Sequence, residues 1–298
     1  MLRTRIAPTP SGYLHHGNAL SFLATAALAR AAEGSLWLRI DDLDKGRRRR
    51  VYLNDLFESL AWLGIRPDRG PGDSDDFLQH YSQHLRLDRY RHVLDQLART
   101  GQVYACNCSR RQIRERSPDG RYPGTCRERG LPLDQPGLAW RVRLPANCQV
   151  AFNEWKQGPR QLDLYQAMGD FVVRQKNGLP AYQIASLVDD LDAGINFIVR
   201  GEDLIPSTAA QQYLAELLEL PSFLQVLFWH HSLLLDEEGY KLSKSEGAEA
   251  LYRHRRRGPV PTGWYRQVGD WLGLNLRGSG LPELIQMLKP LVPELQGL

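Results

Sequence analysis

Several short stretches of this sequence carry side chains whose types and spacing could do chemistry. The first runs Arg5-Ile-Ala-Pro-Thr-Pro-Ser-Gly-Tyr-Leu-His-His-Gly-Asn18. Pro8 and Pro10 fix φ and deny the chain regular structure, and Gly12 permits a tight bend. His15, His16, Gly17 and Asn18 then open an apolar run that begins at Ala19. A loop entering a helix in this way offers unpaired N–H groups, a partial positive charge and extra side-chain donors, which suits nucleotide phosphates. An ordinary strand-to-helix turn with surface histidines would use the same residues. The second stretch is Asp41-Asp-Leu-Asp44. Its acids could hold a substrate ammonium, a ribose hydroxyl or Mg²⁺, or could simply cap a helix in solvent. The third places Cys106, Cys108 and Cys126 close together in a chain with 4 cysteines. Thiolates are soft zinc ligands, so the cluster suggests a structural Zn²⁺ that would staple a loop, although buried free thiols are also common. No histidine lies between Cys106 and Cys126, which leaves Tyr122 and Cys148 as candidates for the fourth ligand. The last is Tyr240-Lys241-Leu-Ser-Lys244-Ser245, where lysines three apart among hydroxyls could neutralise a triphosphate. Short basic hydroxylic loops are also common on surfaces.

The elements that must position these groups read as an α/β chain. Arg3 to Pro8 is a first strand, Ala19 to Ala32 a helix, and Ser35 to Ile40 a compact second strand. Strand, loop, helix, strand is the opening unit of a doubly wound parallel sheet, whose ligands sit at the carboxyl ends of strands. That places the Pro8–Asn18 loop and the Asp41–Asp44 acids at one crevice. Val51 to Leu63 has helical spacing, and Phe77 to Thr100 reads as one long helix with Tyr81, Leu85, Tyr90, Leu94 and Leu97 as its apolar face. His80, His84 and His92 belong to its surface. Ala139 to Leu144, Phe171 to Arg174 and Pro180 to Ala185 read as strands that break the alternating rhythm, so the middle of the chain is an insertion. Ile195 to Leu204 is a buried strand ending in Arg200-Gly-Glu-Asp203, Leu227 to Leu235 is the last strand, and one or two helices follow Leu251. The domain division expected is 1–100, 101–180, 181–250 and 251–298.

Composition is globular, with 42% hydrophobic and 24% charged residues over 298 positions. No apolar run approaches the roughly 20 residues of a membrane span. The N-terminus lacks the apolar core of a signal peptide, and the few cysteines argue against a disulfide framework. A net charge of +4 allows an anionic partner. The runs Arg47–Arg50 and Arg253 with Arg255–Arg257 are either solvated faces or phosphate contacts.

The ordered motifs resemble the class I aminoacyl-tRNA synthetases, and within them the glutamyl branch. Arg5 to Gly17 is similar to the branch's Arg-x-Ala-Pro-Ser-Pro-Thr/Ser-Gly-x-Leu-His-x-Gly, with Asn18 where the class-wide His-Ile-Gly-His motif ends in histidine. Arg39-Ile-Asp-Asp-Leu-Asp44 matches Arg-Ile-Glu-Asp-x-Asp except at Asp41, one methylene shorter. Tyr182-Gln-Ile-Ala-Ser-Leu-Val-Asp-Asp190 and Arg200-Gly-Glu-Asp203 match a further pair of segments, and Lys-Leu-Ser-Lys-Ser resembles Lys-Met-Ser-Lys-Ser. The resemblance implies an ATP-dependent ligase with a Rossmann-like doubly wound parallel sheet, an inserted zinc-bearing acceptor subdomain and a short helical tail. It implies glutamate binding by Arg5, Ala7, Thr9, Asp41, Tyr182 and Arg200. It implies ATP binding by Pro8, His15, Gly17, Asn18 and Lys244, with His15, Asn18, Lys241 and Lys244 catalytic and Mg²⁺ accompanying ATP. A planar arginine fork suits the γ-carboxylate of glutamate better than the amide of glutamine.

Cys-x-Cys, a spacer and Tyr-x-x-x-Cys is also the zinc pattern of the glutamyl-Q tRNA(Asp) synthetases, which carries over to Cys106, Cys108, Tyr122 and Cys126. About fifty residues after the lysine loop leave no room for a large anticodon-binding region, which again points to this truncated branch. The acceptor implied is the queuosine base of tRNA(Asp), and the protein is expected to be a cytoplasmic monomer with no membrane partner. Transfer to a tRNA 3′ end or a non-tRNA acceptor, and a non-catalytic RNA- or nucleotide-binding paralogue, are the alternatives.

Overall fold

The computed structural model describes residues 1–233, 250–276 and 280–298. Its strands are β1 (Arg3–Ile6), β2 (Ser35–Leu38), β3 (Val103–Cys106), β4 (Ala139–Val142), β5 (Gln149–Glu154), β6 (Gly158–Asp163), β7 (Val172–Arg174), β8 (Phe197–Gly201) and β9 (Leu227–His231). The chain forms two compact units. One comprises Met1–Leu85, Ile195–Asp203 and Phe228–Leu298, the other Arg86–Gly194 and Leu204–Leu227.

In the first unit β1 and β2 pair in parallel, from Arg3 opposite Ser35 to Ile6 opposite Leu38. β8 runs beside β1 in the same direction: Asn196 N–H donates to the Arg3 carbonyl at 3.1 Å, and Arg5 Nη1 reaches the Val199 carbonyl at 3.4 Å. β9 is the hydrogen-bonded neighbour of β8. The crossover between the parallel strands β1 and β2 is the His16–Ala31 helix. It is buried on nearly every side, from Ala19 through Ala29, because it touches the sheet on one side and the Thr262–Trp271 and Leu281–Leu288 helices on another. Alanine permits such close approach, and alanine and leucine are strong helix formers. The return turn needs Gly34, since a Cβ there would lie 2.6 Å from the Leu2 carbonyl oxygen. The residues after Leu251 form several short helices packed within this unit, starting with Leu251–Arg257.

The stretch expected as one helix from Phe77 to Thr100 is broken. Phe77–Tyr81 is a π turn, Ser82 is extended at φ −56°, ψ 134°, Gln83–Arg86 is a 3₁₀ turn, and the regular helix is Leu87–Arg99. Tyr90, Leu94 and Leu97 are buried as expected, whereas Tyr81 and Leu85 are exposed at 44% and 59%. The break has a tertiary cause, described below.

The second unit holds an antiparallel sheet in the order β3–β4–β7 and the β5–β6 hairpin. Pro180–Ala185 is not a strand: after Pro180 and an extended Ala181, a helix runs Tyr182–Asp192. Proline disfavours helix in the residue before it and terminates the preceding pairing, so the helix begins just beyond. This helix packs on Leu87–Arg99 and on the Ile205–Leu217 helix. Tyr90 Oη donates to Asp189 at 2.8 Å, Arg86 Nε bonds Asp189 at 2.8 Å, and Arg86 and Arg89 both bind Asp192. The first acid of the Val-Asp-Asp segment is thus a packing clamp. No helix among the described residues is long and apolar enough to cross a membrane.

Candidate functional site

The residues implied for an amino-acid site in the first unit follow the carboxyl ends of parallel strands. Arg5 lies near the end of β1, Asp41 follows β2, and Arg200 lies at the end of β8. Arg5 and Arg200 are 5% and 4% exposed. Both guanidiniums therefore lie buried near the carboxyl end of the sheet, where their planar forks suit a carboxylate. Arg200 also lies over the Phe228 ring, 5.4 Å from its centroid, on the neighbouring strand. The Asp41 N–H donates to the Pro8 carbonyl at 3.0 Å, which joins the acidic loop to the proline loop. Ala7 is partly buried, Pro8 buried and Thr9 exposed in that loop.

Asp41 is held from the side. Arg39 grips its carboxylate through Nε at 2.7 Å and Nη2 at 3.1 Å, and Gln83 Nε2 lies 3.4 Å away. Behind it Asp42, with a fully buried side chain, is a hub. It accepts from Ser82 Oγ at 2.7 Å, Gln83 N–H at 2.8 Å and Arg48 Nη1 at 2.6 Å, while its own N–H donates to Gln83 Oε1. These bonds require Ser82 to leave the helix, which explains the break. Arg39 stands in the acidic motif and Arg48 in a basic run, but Ser82 and Gln83 were not singled out from the sequence. For those two the local hint was a cap-type serine in the middle of a helical pattern.

His15 and Asn18 meet at the helix start. His15 N–H donates to Asn18 Oδ1 at 3.1 Å, the returning half of a capping box. Asn18 therefore organises the start of this helix. His16 points elsewhere: it stacks on Trp264 at 4.4 Å, and burial lowers its pKa. Lys241 and Lys244 lie outside the described residues. The residues flanking that stretch are both tied to the site. Leu233 N–H donates to Glu202 Oε1 at 3.2 Å, and Ala250 forms an antiparallel bridge with His15.

Part of the basic runs is held by acids of the same unit. Arg48 serves Asp42, Arg50 pairs with Asp75, and Arg255 binds Asp55 and Glu58.

In the second unit Tyr182 opens its helix and is 39% exposed. The same unit holds the cysteines. The Sγ atoms of Cys106, Cys108 and Cys126 lie within 4.8 Å of one another, and Cys108 and Cys126 are 3.5 Å apart. Tetrahedral zinc with bonds of about 2.3 Å separates its sulfurs by roughly 3.8 Å. Tyr122 Oη lies 3.3 Å from Cys106 Sγ and 3.8 Å from Cys108 Sγ, and accepts the Cys126 N–H at 2.8 Å. Cys148 is not in the cluster. Burial pushes its thiol up to about 11. Burial also raises Cys126, but the hydrogen bonds from Tyr122, the Asn107 backbone and Cys108 outweigh it and leave that thiol at about 6. The three thiols and their spacing fit a metal ion, and Tyr122 Oη lies beside them.

The family description "tRNA synthetases class I (E and Q), catalytic domain" matches residues 1–259. The chain belongs to that family. Class I synthetases of this kind are ATP-dependent ligases, and so is this chain. It groups with the glutamyl-Q tRNA(Asp) synthetases. It is 38% identical over 292 residues to the one from Ralstonia nicotianae, covering 94% of this chain and 87% of that one. It is 39% identical over 256 residues to the one from Bordetella bronchiseptica, covering 83% and 76%. Among solved structures it is similar to the glutamate-tRNA synthetase of Elizabethkingia anophelis, with a TM-score of 0.69 and 25% identity over 87% of this chain and 54% of that one. It is similar too to a glutamate tRNA ligase of Elizabethkingia meningosepticum in complex with its amino acid, with a TM-score of 0.68 and 26% identity over 87% of this chain. The chain spans about half the length of those two structures (54% and 53%).

Proposed function

We propose that the chain activates L-glutamate with ATP and passes it to the queuosine base of tRNA(Asp). An oxygen of the glutamate α-carboxylate attacks the α-phosphorus of ATP. A P–O bond forms, the bond to the leaving oxygen breaks, and pyrophosphate departs. The acceptor nucleophile then attacks the acyl carbon of glutamyl-adenylate and AMP leaves. The observation that carries this reading is the pair of buried arginines, Arg5 and Arg200, with the pre-oriented carboxylate of Asp41 in the same unit. An α-ammonium suits Asp41, and a carboxylate suits a guanidinium fork. Tyr182, Ala7 and Thr9 join the amino-acid site by their motifs alone.

His15 and the helix N-terminus organised by Asn18 steady the phosphates, with Pro8 and Gly17 shaping the loop and Lys241 and Lys244 adding positive charge. Mg²⁺ bound with ATP neutralises part of the triphosphate charge. Zn²⁺ held by Cys106, Cys108, Tyr122 and Cys126 staples the second unit and takes no part in the chemistry, since protein fills every ligand position. Residues 101–180 are the acceptor-binding insertion. The protein works in the cytoplasm as a monomer.

Pyrophosphate exchange with ATP and each of glutamate, glutamine and aspartate, without RNA, tests the reading. Glutamate-dependent exchange is expected. Exchange with aspartate would show that the shorter Asp41 has changed the pocket, and no exchange with any amino acid, with or without tRNA, would remove the ligase assignment of this site. Glutamate transfer to queuosine-containing tRNA(Asp), absent with the unmodified transcript, tests the acceptor.

A further inference from the structure

The proposed metal ligands have an unusual neighbour. Arg141, on β4, is 8% exposed, and its guanidinium carbon lies 3.8 Å from the centroid of the Tyr122 ring. Its Nη1 donates to the Asp170 carbonyl at 2.6 Å. Its Nε is buried and makes no hydrogen bond among the described residues. Asp170 is itself fixed, accepting from Tyr104 Oη at 2.6 Å and from the Leu144 N–H at 2.9 Å. A rigid strut therefore runs from the Asp170 backbone through Arg141 to the ring of Tyr122. Further cations reach the same loop: Lys176 Nζ donates to the Asn107 carbonyl at 2.7 Å and Arg129 Nη1 to Asn107 Oδ1 at 3.5 Å.

A cation over an aromatic face is attracted to it, more so when desolvated. We infer that Arg141 is a positioning residue for the metal centre, holding the Tyr122 ring so that its oxygen faces the thiols. This rests on the zinc reading above.

Zinc affinity by chelator competition tests it in the wild type, Arg141→Met, Tyr122→Phe and the double variant, with circular dichroism as the folding check. Residues around metal ligands are commonly worth about 10–100-fold in affinity, and Arg141→Met is expected to lose that much. Tyr122→Phe keeps the ring and removes only the oxygen. In that background Arg141→Met is expected to cost little more, and the thiolate-to-cobalt absorption of the Co²⁺ protein is expected to shift in both single variants alike. Equal losses with and without the Tyr122 oxygen would overturn the proposal, because Arg141 would then act only through Asp170 as scaffold. Should Arg141→Met fail to fold, Arg141→Lys, which keeps the charge but not the planar stack, takes its place with an intermediate loss expected and an unchanged affinity overturning. A wild type that binds no zinc removes the metal reading itself, whereas a zinc-holding wild type with additive losses removes only the role of Arg141.

Discussion

Arg200 and Asp41 carry opposite charges and have different partners, so their substitutions should fail differently. Arg200 is buried over Phe228, and lysine cannot reproduce its planar fork. A hydrogen bond to a charged group contributes about 1.5–3 kcal/mol, so Arg200→Lys should lower kcat/KM for glutamate in pyrophosphate exchange by about 10- to 100-fold, chiefly through KM. Asp41→Asn should give a similar loss for glutamate while leaving the KM for ATP nearly unchanged. It also leaves Arg39 without its carboxylate partner, so part of its effect should appear as lost stability. Equal losses in glutamate and ATP affinity would show that these side chains serve the nucleotide instead.

The break at Ser82 shows how an element can be dictated from a distance. The apolar spacing from Phe77 to Leu97 is continuous with a helix, yet Asp42 takes the Ser82 hydroxyl and the Gln83 N–H. Ser82→Ala leaves a buried carboxylate short of a donor, which costs about 1–3 kcal/mol. Thermal unfolding should show that loss, and the KM for glutamate should rise as the Asp41 loop loosens. An unchanged KM would separate the break from the site. In the other unit, Tyr90→Phe should cost a similar amount by leaving Asp189 with one donor fewer, with no effect on zinc affinity.

Across the first unit, histidines are built into aromatic stacks. His231 stacks on Trp271 at 4.3 Å and bonds Ser21 Oγ at 3.0 Å; His16 stacks on Trp264. Burial lowers the pKa of both. The unfolded chain, with histidines near 6.5, therefore takes up protons before the folded chain does. The stability these groups contribute is complete above about pH 6.5 and is lost as pH falls toward their lower folded values. The melting temperature should drop between pH 7 and pH 5.5, and His231→Gln should flatten that drop. Removing zinc with a chelator should lower the stability of the second unit, and the same treatment of Cys126→Ser should change nothing further.

The opening unit of the fold was legible in the sequence because its determinants are local. Prolines and glycine define the loop, alanine and leucine the first helix, and a compact apolar run the second strand. The arginines, acids and cysteines were legible for the same reason: a motif states which chemistry a short stretch can do. What the sequence by itself could not decide was long-range pairing. Three thiols in sequence leave the fourth ligand open between Tyr122 and Cys148, and only the folded chain brings the Tyr122 oxygen within 3.3 Å of Cys106 Sγ. Pro180 to Ala185 has strand-like residues, but helix contacts with neighbours far along the chain make it the start of a helix. The basic runs read as solvated faces or phosphate contacts, and only the folded chain shows Arg48 beside Asp42 and Arg255 beside Asp55 and Glu58. Residue type and spacing determined the chemistry on offer, whereas packing and ion pairing between distant segments decided which groups are held, aimed and spent, because those energies exist only once the segments meet.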